Sequence, residues 1–153
     1  MTRLNYLSQD RSDIQYATKE LCRFMSAPKQ GHWEALKRLG RYLKSHARVI
    51  SHFKYQKAVT TMEVWTDSNF AGCKATRKST SGGIVMMGSH PIKSWSVTQS
   101  VISLSSGEAE YYGMVKGASV AMGIASMLKE MGQVTSLVLK CDASAAVGIA
   151  MRR

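Results

Sequence analysis

Leu104-Ser105-Ser106-Gly107-Glu108-Ala109-Glu110-Tyr111-Tyr112 opens the most helix-like segment of the chain. A serine followed three residues later by a glutamate is a helix-start signature, because each side chain can satisfy a backbone N–H that the first turn leaves free. Beyond it Tyr112, Val115, Ser119, Met122, Ala125, Leu128 and Met131 recur three or four apart, and Gly132 supplies a stop. This predicts the main helix over Ser105 to Met131. Its interior glycines, Gly113, Gly117 and Gly123, each cost about 1 kcal/mol against alanine. Close approach to a sheet would explain them.

The helix joins two sets of strands. Upstream, Thr61 to Asp67 alternates and then breaks at Asn69-Phe70-Ala71-Gly72, the pattern of a strand ending in an aspartate. A polar link, Lys74 to Ser81, leads into Gly82 to Met87, and a turn at Gly88-Ser89-His90-Pro91 leads into Ile92 to Val97. Three strands with short turns predict an antiparallel meander. Downstream, Leu137 to Asp142 is mostly apolar, as in a buried parallel strand, and again ends in aspartate. A last helix is expected from Ala143 to Met151, with Arg152-Arg153 still in mid-helix. The fold class is therefore α/β (α+β), a mixed sheet with a right-handed crossover.

Ahead of the sheet the signals are helical. Ile14, Ala17, Leu21, Phe24 and Met25 predict a helix from Arg11 to Met25, ending near Ala27-Pro28. Trp33, Leu36, Leu39, Tyr42 and Leu43 predict a second, over Gly31 to Lys44, with those residues packed in the core. Val49 to Tyr55 reads as an edge strand or an extended connector. The chain divides into a helical segment, residues 1–58, and a sheet domain, residues 59–153.

Composition narrows the function. Cys22, Cys73 and Cys141 are odd in number, far apart and without C-x-x-C spacing, which argues against a disulfide scaffold or a zinc knuckle. No signal-peptide pattern opens the chain and no run of 18 apolar residues crosses a membrane, so an intracellular place, cytoplasmic or nuclear rather than secreted, is expected. A net charge of +11 favours a polyanion partner, with nucleic acid first. Between Glu34 and Glu63 there is no acid, while Lys37, Arg38, Arg41, Lys44, Arg48, Lys54 and Lys57 fall in that window. Lys37, Arg41 and Lys44 are candidate nucleic-acid contacts on an unmixed basic helix face.

In mixed sheets ligand sites gather at the carboxyl ends of parallel strands, where Asp67 and Asp142 are expected, and the helix start is near enough to add a glutamate. Carboxylates brought together repel one another, and a hard divalent cation relieves that repulsion. Magnesium or manganese fits, since no histidine stands at ligand spacing to either aspartate. Two ions about 3.5 to 4 Å apart suit in-line displacement at phosphorus. The plainer alternatives are that Asp67 is a turn residue and Asp142 a helix cap.

Taken together, Trp65-Thr66-Asp67-Ser68-Asn69-Phe70-Ala71-Gly72, Arg77-Lys78-Ser79-Thr80-Ser81-Gly82, Ser94-Trp95-Ser96, Gln99-Ser100, Leu104 to Tyr111 and Cys141-Asp142 resemble the ribonuclease H domain of copia-type retrotransposon Pol polyproteins. Leu7-Ser8-Gln9, Arg11 to Ile14, Arg23 to Ser26, His32-Trp33 and Leu39 to Lys44 resemble the end of the reverse transcriptase region that precedes it. The resemblance implies a ribonuclease H-like fold and magnesium-dependent cleavage of the RNA strand of RNA/DNA hybrids, leaving a 3′-hydroxyl and a 5′-phosphate. It implies Asp67, Glu110 and Asp142 as catalytic metal ligands, Glu110 being the glutamate followed directly by a large residue. Arg77, Lys78, Ser79 and Thr80 join the nucleic-acid contacts. Glu108 is left to the capping box.

The sequence departs from the family pattern in places. Asn69 stands where an acid is usual, Gly83 where an aromatic is usual, Gly107 where threonine is usual, and Ala143-Ser144 replace a more polar pair. A downstream segment with a fourth acidic ligand and a histidine is expected to be missing, so the domain reads as C-terminally truncated and weak or inactive alone. The competing expectation is a non-catalytic basic remnant that binds nucleic acid or protein; a transposase or integrase of the same broad fold comes third.

Overall fold

The structure, a computed structural model, describes residues 1–152, and Arg153, expected in the last helix, lies outside the described residues. The chain falls into two units, Met1–His52 and the chain from Phe53 onward.

The first unit is helical. α1 (Thr2–Leu7) is followed by a 3-10 turn (Ser12–Ile14), α2 (Gln15–Cys22) and α3 (Gln30–Ser45). Ile14, Leu21 and Leu39 are buried together, with Leu4, Ala17, Ala35, Leu36 and Leu43 packed around them. The helix expected from Arg11 is shorter because Arg11 does other work. Its guanidinium donates to both Asp13 oxygens at 2.9 and 2.7 Å and to the His46 carbonyl at 3.1 Å, while the Tyr42 hydroxyl donates to Asp13 at 2.9 Å. These bonds tie the entry of α2 to the far end of α3. Trp33, expected in the core, is 51% exposed, and Lys37 sits 5.5 Å from its ring centroid. Three short helices cannot cover so wide an apolar stripe, so only its centre is buried.

In the second unit, residues 53–60 form neither helix nor strand. They serve as a connector strapped to a hairpin: Gln56 Nε2 donates to the Met87 carbonyl at 2.8 Å, and the Ser89 N–H donates to Gln56 Oε1 at 3.0 Å. The edge strand considered for Val49 to Tyr55 is absent.

The elements that follow are β1 (Thr61–Asn69), β2 (Thr80–Met87), β3 (His90–Thr98), α4 (Ser106–Glu130), β4 (Ser136–Lys140) and α5 (Ser144–Ala150). They build a mixed α/β arrangement with one four-stranded sheet in the order β3-β2-β1-β4. β1 pairs antiparallel with β2 and parallel with β4, with Val64 opposite Val85 on one side and Leu139 on the other. α5 stops at Ala150, so Arg152 follows a helix rather than continuing one.

Alternation along β1 sends Met62, Val64 and Thr66 into the core, where Val85, Trp95 and Ala121 join all but Thr66 in one cluster. α4 packs against β1 and β2 over this face. At Gly117 the approach is close: a Cβ there would stand 2.5 Å from Thr66 Cγ2 and 3.1 Å from Val64 Cγ1. At Gly113 a Cβ would meet ordinary contacts, the nearest at 3.8 Å, and at Gly123 it would meet nothing within 4 Å. Close approach therefore accounts for Gly117 alone. The other face of β1 carries Glu63, Trp65 and Asp67. There Lys140 Nζ lies 2.8 Å from Glu63 and 4.4 Å from the Trp65 ring centroid.

Candidate metal centre

α4 begins as its sequence requires. The Glu108 N–H donates to Ser105 Oγ at 3.1 Å, and Glu108 Oε2 accepts the Leu104 N–H at 2.7 Å. The glutamate reaches one residue beyond the cap itself, but it closes the helix start as the capping spacing predicts. Two residues on, Glu110 turns inward and is only 8% exposed.

Glu110 is anchored to the sheet. Its Oε1 accepts the Ser68 N–H at 3.0 Å, and Cys141 Sγ lies 3.8 Å from its Oε2. Asp67 lies within β1, two residues before its end, and Asp142 stands two residues past β4. Both expectations of a strand-terminal aspartate are therefore displaced by two residues, in opposite senses.

Desolvation raises the Glu110 carboxyl above its ordinary range; the Ser68 N–H opposes this, and the negative charges of Asp67 and Asp142 add to it. Burial also raises the Cys141 thiol, with Glu110 and Asp142 acting in the same direction. A buried carboxylate whose charged neighbours are two more carboxylates is a place where a cation lowers the energy.

The three predicted ligands are not equally close. Donor atoms of Glu110, Cys141 and Asp142 all lie within 4.8 Å of one another, and Asp67 stands outside that group. Asp67, Cys141 and Asp142 line one cavity of about 580 Å³ together with Trp65, Gly82 and Lys140. Asp67 thus shares this space with Cys141 and Asp142 at the β1–β4 end of the sheet, while Glu110 is not among the residues that line it. The carboxylate oxygens suit magnesium or manganese, so the residues fit the cation that the resemblance implies. Cys141 is the site residue that spacing did not single out, since a cysteine beside an aspartate looks like any half-buried strand residue.

A buried polar network supports this corner. Gln99 Nε2 donates to Ser81 Oγ at 2.9 Å and to the Ala109 carbonyl at 2.8 Å, and Ser103 Oγ donates to Gln99 Oε1 at 2.9 Å. It ties β2 and the exit of β3 to the turn of α4 that carries Glu110. Sequence offered only a polar pair, Gln99-Ser100, with no sign of its depth.

Of the expected nucleic-acid contacts, Lys37, Arg41 and Lys44 are exposed on α3, and Arg77 is exposed in the β1–β2 loop at φ +57°. Lys78 is half-buried. Ser79 and Thr80, expected among the nucleic-acid contacts, are buried. The Ser79 hydroxyl accepts the Ala71 N–H at 3.0 Å and its carbonyl accepts the Gln99 N–H at 2.9 Å, so the residue braces the loop from within.

The chain is 39% identical over 131 residues to the retrovirus-related Pol polyprotein from transposon RE1 of Arabidopsis thaliana, a match covering 84% of the chain and 9% of that protein. It is 37% identical over 143 residues to the Pol polyprotein from transposon RE2 of the same plant, covering 91% of the chain and 10% of that protein. The chain belongs to the copia-type retrovirus-related Pol polyproteins. It spans about a tenth of the length of those two relatives. An uncharacterized mitochondrial protein of Arabidopsis thaliana is 36% identical over 119 residues, covering 76% of the chain and 48% of its own length. No protein-family profile matches the chain, and no solved structure matches it. No helix among the described residues of this Pol segment is long and apolar enough to cross a membrane.

Proposed function

We propose that this Pol segment is a ribonuclease H-type domain that hydrolyses the RNA strand of RNA/DNA hybrids with magnesium or manganese held by Asp67, Glu110 and Asp142. The observation that supports the reading is the buried Glu110 carboxylate, held by the Ser68 N–H, with its donor atom within 4.8 Å of one from Asp142 and under the electrostatic influence of Asp67, near the carboxyl ends of parallel strands. The four-stranded mixed sheet covered by α4 is compatible with a ribonuclease H-like fold.

Divalent cations, when bound, supply water activation and stabilisation of the leaving oxygen in an in-line displacement. The chain's own part is positional. The Ser68 N–H fixes one Glu110 oxygen, the Gln99 network fixes the turn of α4 behind it, and the cavity beside Asp67 and Asp142 gives a phosphate room to approach. The reaction places the water oxygen on phosphorus and releases the 3′ oxygen as a hydroxyl. Cleavage of a labelled RNA/DNA hybrid in magnesium and in manganese tests the reading. Loss of cleavage in Asp67→Asn is expected, and cleavage unchanged by that substitution overturns the assignment.

A second reading draws on α3, where Lys37, Arg38, Arg41 and Lys44 are all exposed. A non-catalytic remnant would bind nucleic acid through this face. Hybrid binding that weakens steeply with salt, without a manganese-dependent thermal shift, selects it.

A further inference from the structure

We propose that Cys141 is itself a metal ligand, so that the Glu110–Cys141–Asp142 corner takes a thiophilic divalent cation, zinc or cadmium, through its sulfur. The inference rests on reading this corner as a cation site and adds a different class of cation to it.

Three donors of mixed type converge there, with all ligand atoms within 4.8 Å of one another. The sulfur stands 3.8 Å from Glu110 Oε2. Tetrahedral zinc, with bonds of about 2.3 Å to sulfur and about 2.0 Å to oxygen, separates two such donors by roughly 3.5 Å, so small side-chain rotations close the shell. Two carboxylates and a thiolate leave a fourth position for water. Magnesium makes no use of sulfur, whereas zinc and cadmium prefer it.

A second feature points to a cation independently of the thiol. Glu110 is buried, it accepts the Ser68 N–H and lies beside the Cys141 sulfur, and no basic side chain among the described residues acts on it. Its charge is left for something other than lysine or arginine to balance. Binding replaces the S–H bond by a sulfur–metal bond and releases the proton to buffer, with no change of oxidation state. Zinc and magnesium would share Glu110 and Asp142, so zinc displaces magnesium rather than joining it.

The test uses the full chain carrying Cys22→Ser and Cys73→Ser, which leaves Cys141 as the one thiol. Cadmium titration is expected to raise the near-ultraviolet sulfur-to-cadmium charge-transfer band in equimolar proportion. Adding Cys141→Ser should abolish the band, and adding Glu110→Gln should weaken it. In the unsubstituted chain, zinc and cadmium should block alkylation of Cys141 by iodoacetamide, read by mass spectrometry, while magnesium leaves it unchanged. No band from Cys141, a band that survives Cys141→Ser, or alkylation indifferent to zinc overturns the assignment. Hybrid cleavage in magnesium is a separate arm. Cleavage without the band removes the sulfur ligand and leaves the nuclease reading; the band without cleavage does the reverse.

Discussion

The ring of Trp95 lies across Gly83, its cross-strand partner, so closely that a Cβ at Gly83 would overlap the Trp95 ring edge. The position where the family resemblance leads to the expectation of an aromatic side chain is here given over to a neighbour's ring. Gly83→Ala should therefore cost about 1–3 kcal/mol through overpacking. Denaturant unfolding followed by tryptophan fluorescence measures it. In a Trp95→Leu background the same change should cost less, by more than about 0.5 kcal/mol, because contacting residues couple. Equal costs in both backgrounds would show that the ring does not set the constraint.

Gly117 and Gly123 lie on one helix and should respond with opposite signs. Gly123→Ala meets open space and gains about 1 kcal/mol of helix propensity. Gly117→Ala gains the same propensity but drives a methyl into Thr66 and Val64, costing about 1–3 kcal/mol, so the net effect is a loss. Thermal unfolding midpoints of the two variants, one raised and one lowered, are the expected result.

The first unit should weaken in acid. Asp13 is held down to about 2, first by its hydrogen bonds from Arg11, against burial, and with help from Tyr42. A depressed carboxyl pKa stabilises the fold fully above the unfolded value of about 4 and loses that contribution as pH falls towards about 2. Asp13→Asn should therefore lower the unfolding midpoint at neutral pH, and its gap from the parent should close across that acid window. A gap independent of pH would mean that the Arg11–Asp13–Tyr42 cluster is not ionic in its effect.

Glu108 and Glu110 should separate by role. Glu108→Gln weakens a charged acceptor at the helix start and should cost up to about 1 kcal/mol while sparing any manganese-dependent thermal shift. Glu110→Gln should abolish that shift. Because folding raises the Glu110 pKa, the ionised carboxylate opposes folding above its unfolded range. The neutral amide, which can still accept the Ser68 N–H, should leave the metal-free fold as stable or more so at neutral pH. Equal effects from both substitutions would contradict the division.

Much of this arrangement is legible from local pattern. The alternation of Met62, Val64 and Thr66, the hairpin turn at Gly88 and the period of Tyr112 to Met131 lead directly to strands, meander and crossing helix. What escapes the pattern depends on distances between segments. Periodicity identified the apolar side of α3 but not how much of it a partner would cover, so Trp33 was expected inside. Ser79 looks like a surface residue beside Arg77 and Lys78 until the loop folds back and takes its hydroxyl. The union of Glu110 with Cys141 requires the register Trp65 to Lys140, which no sequence window contains.

The sheet holds Glu110 through a backbone N–H, that of Ser68. Proline at position 68 would delete that bond, since it lacks the donor, and a large side chain there would displace the packing that buries Ser68 Oγ beside Gly113. Damage to this carboxylate's placement is thus expected at residue 68 as well as at residues 99, 110 and 141.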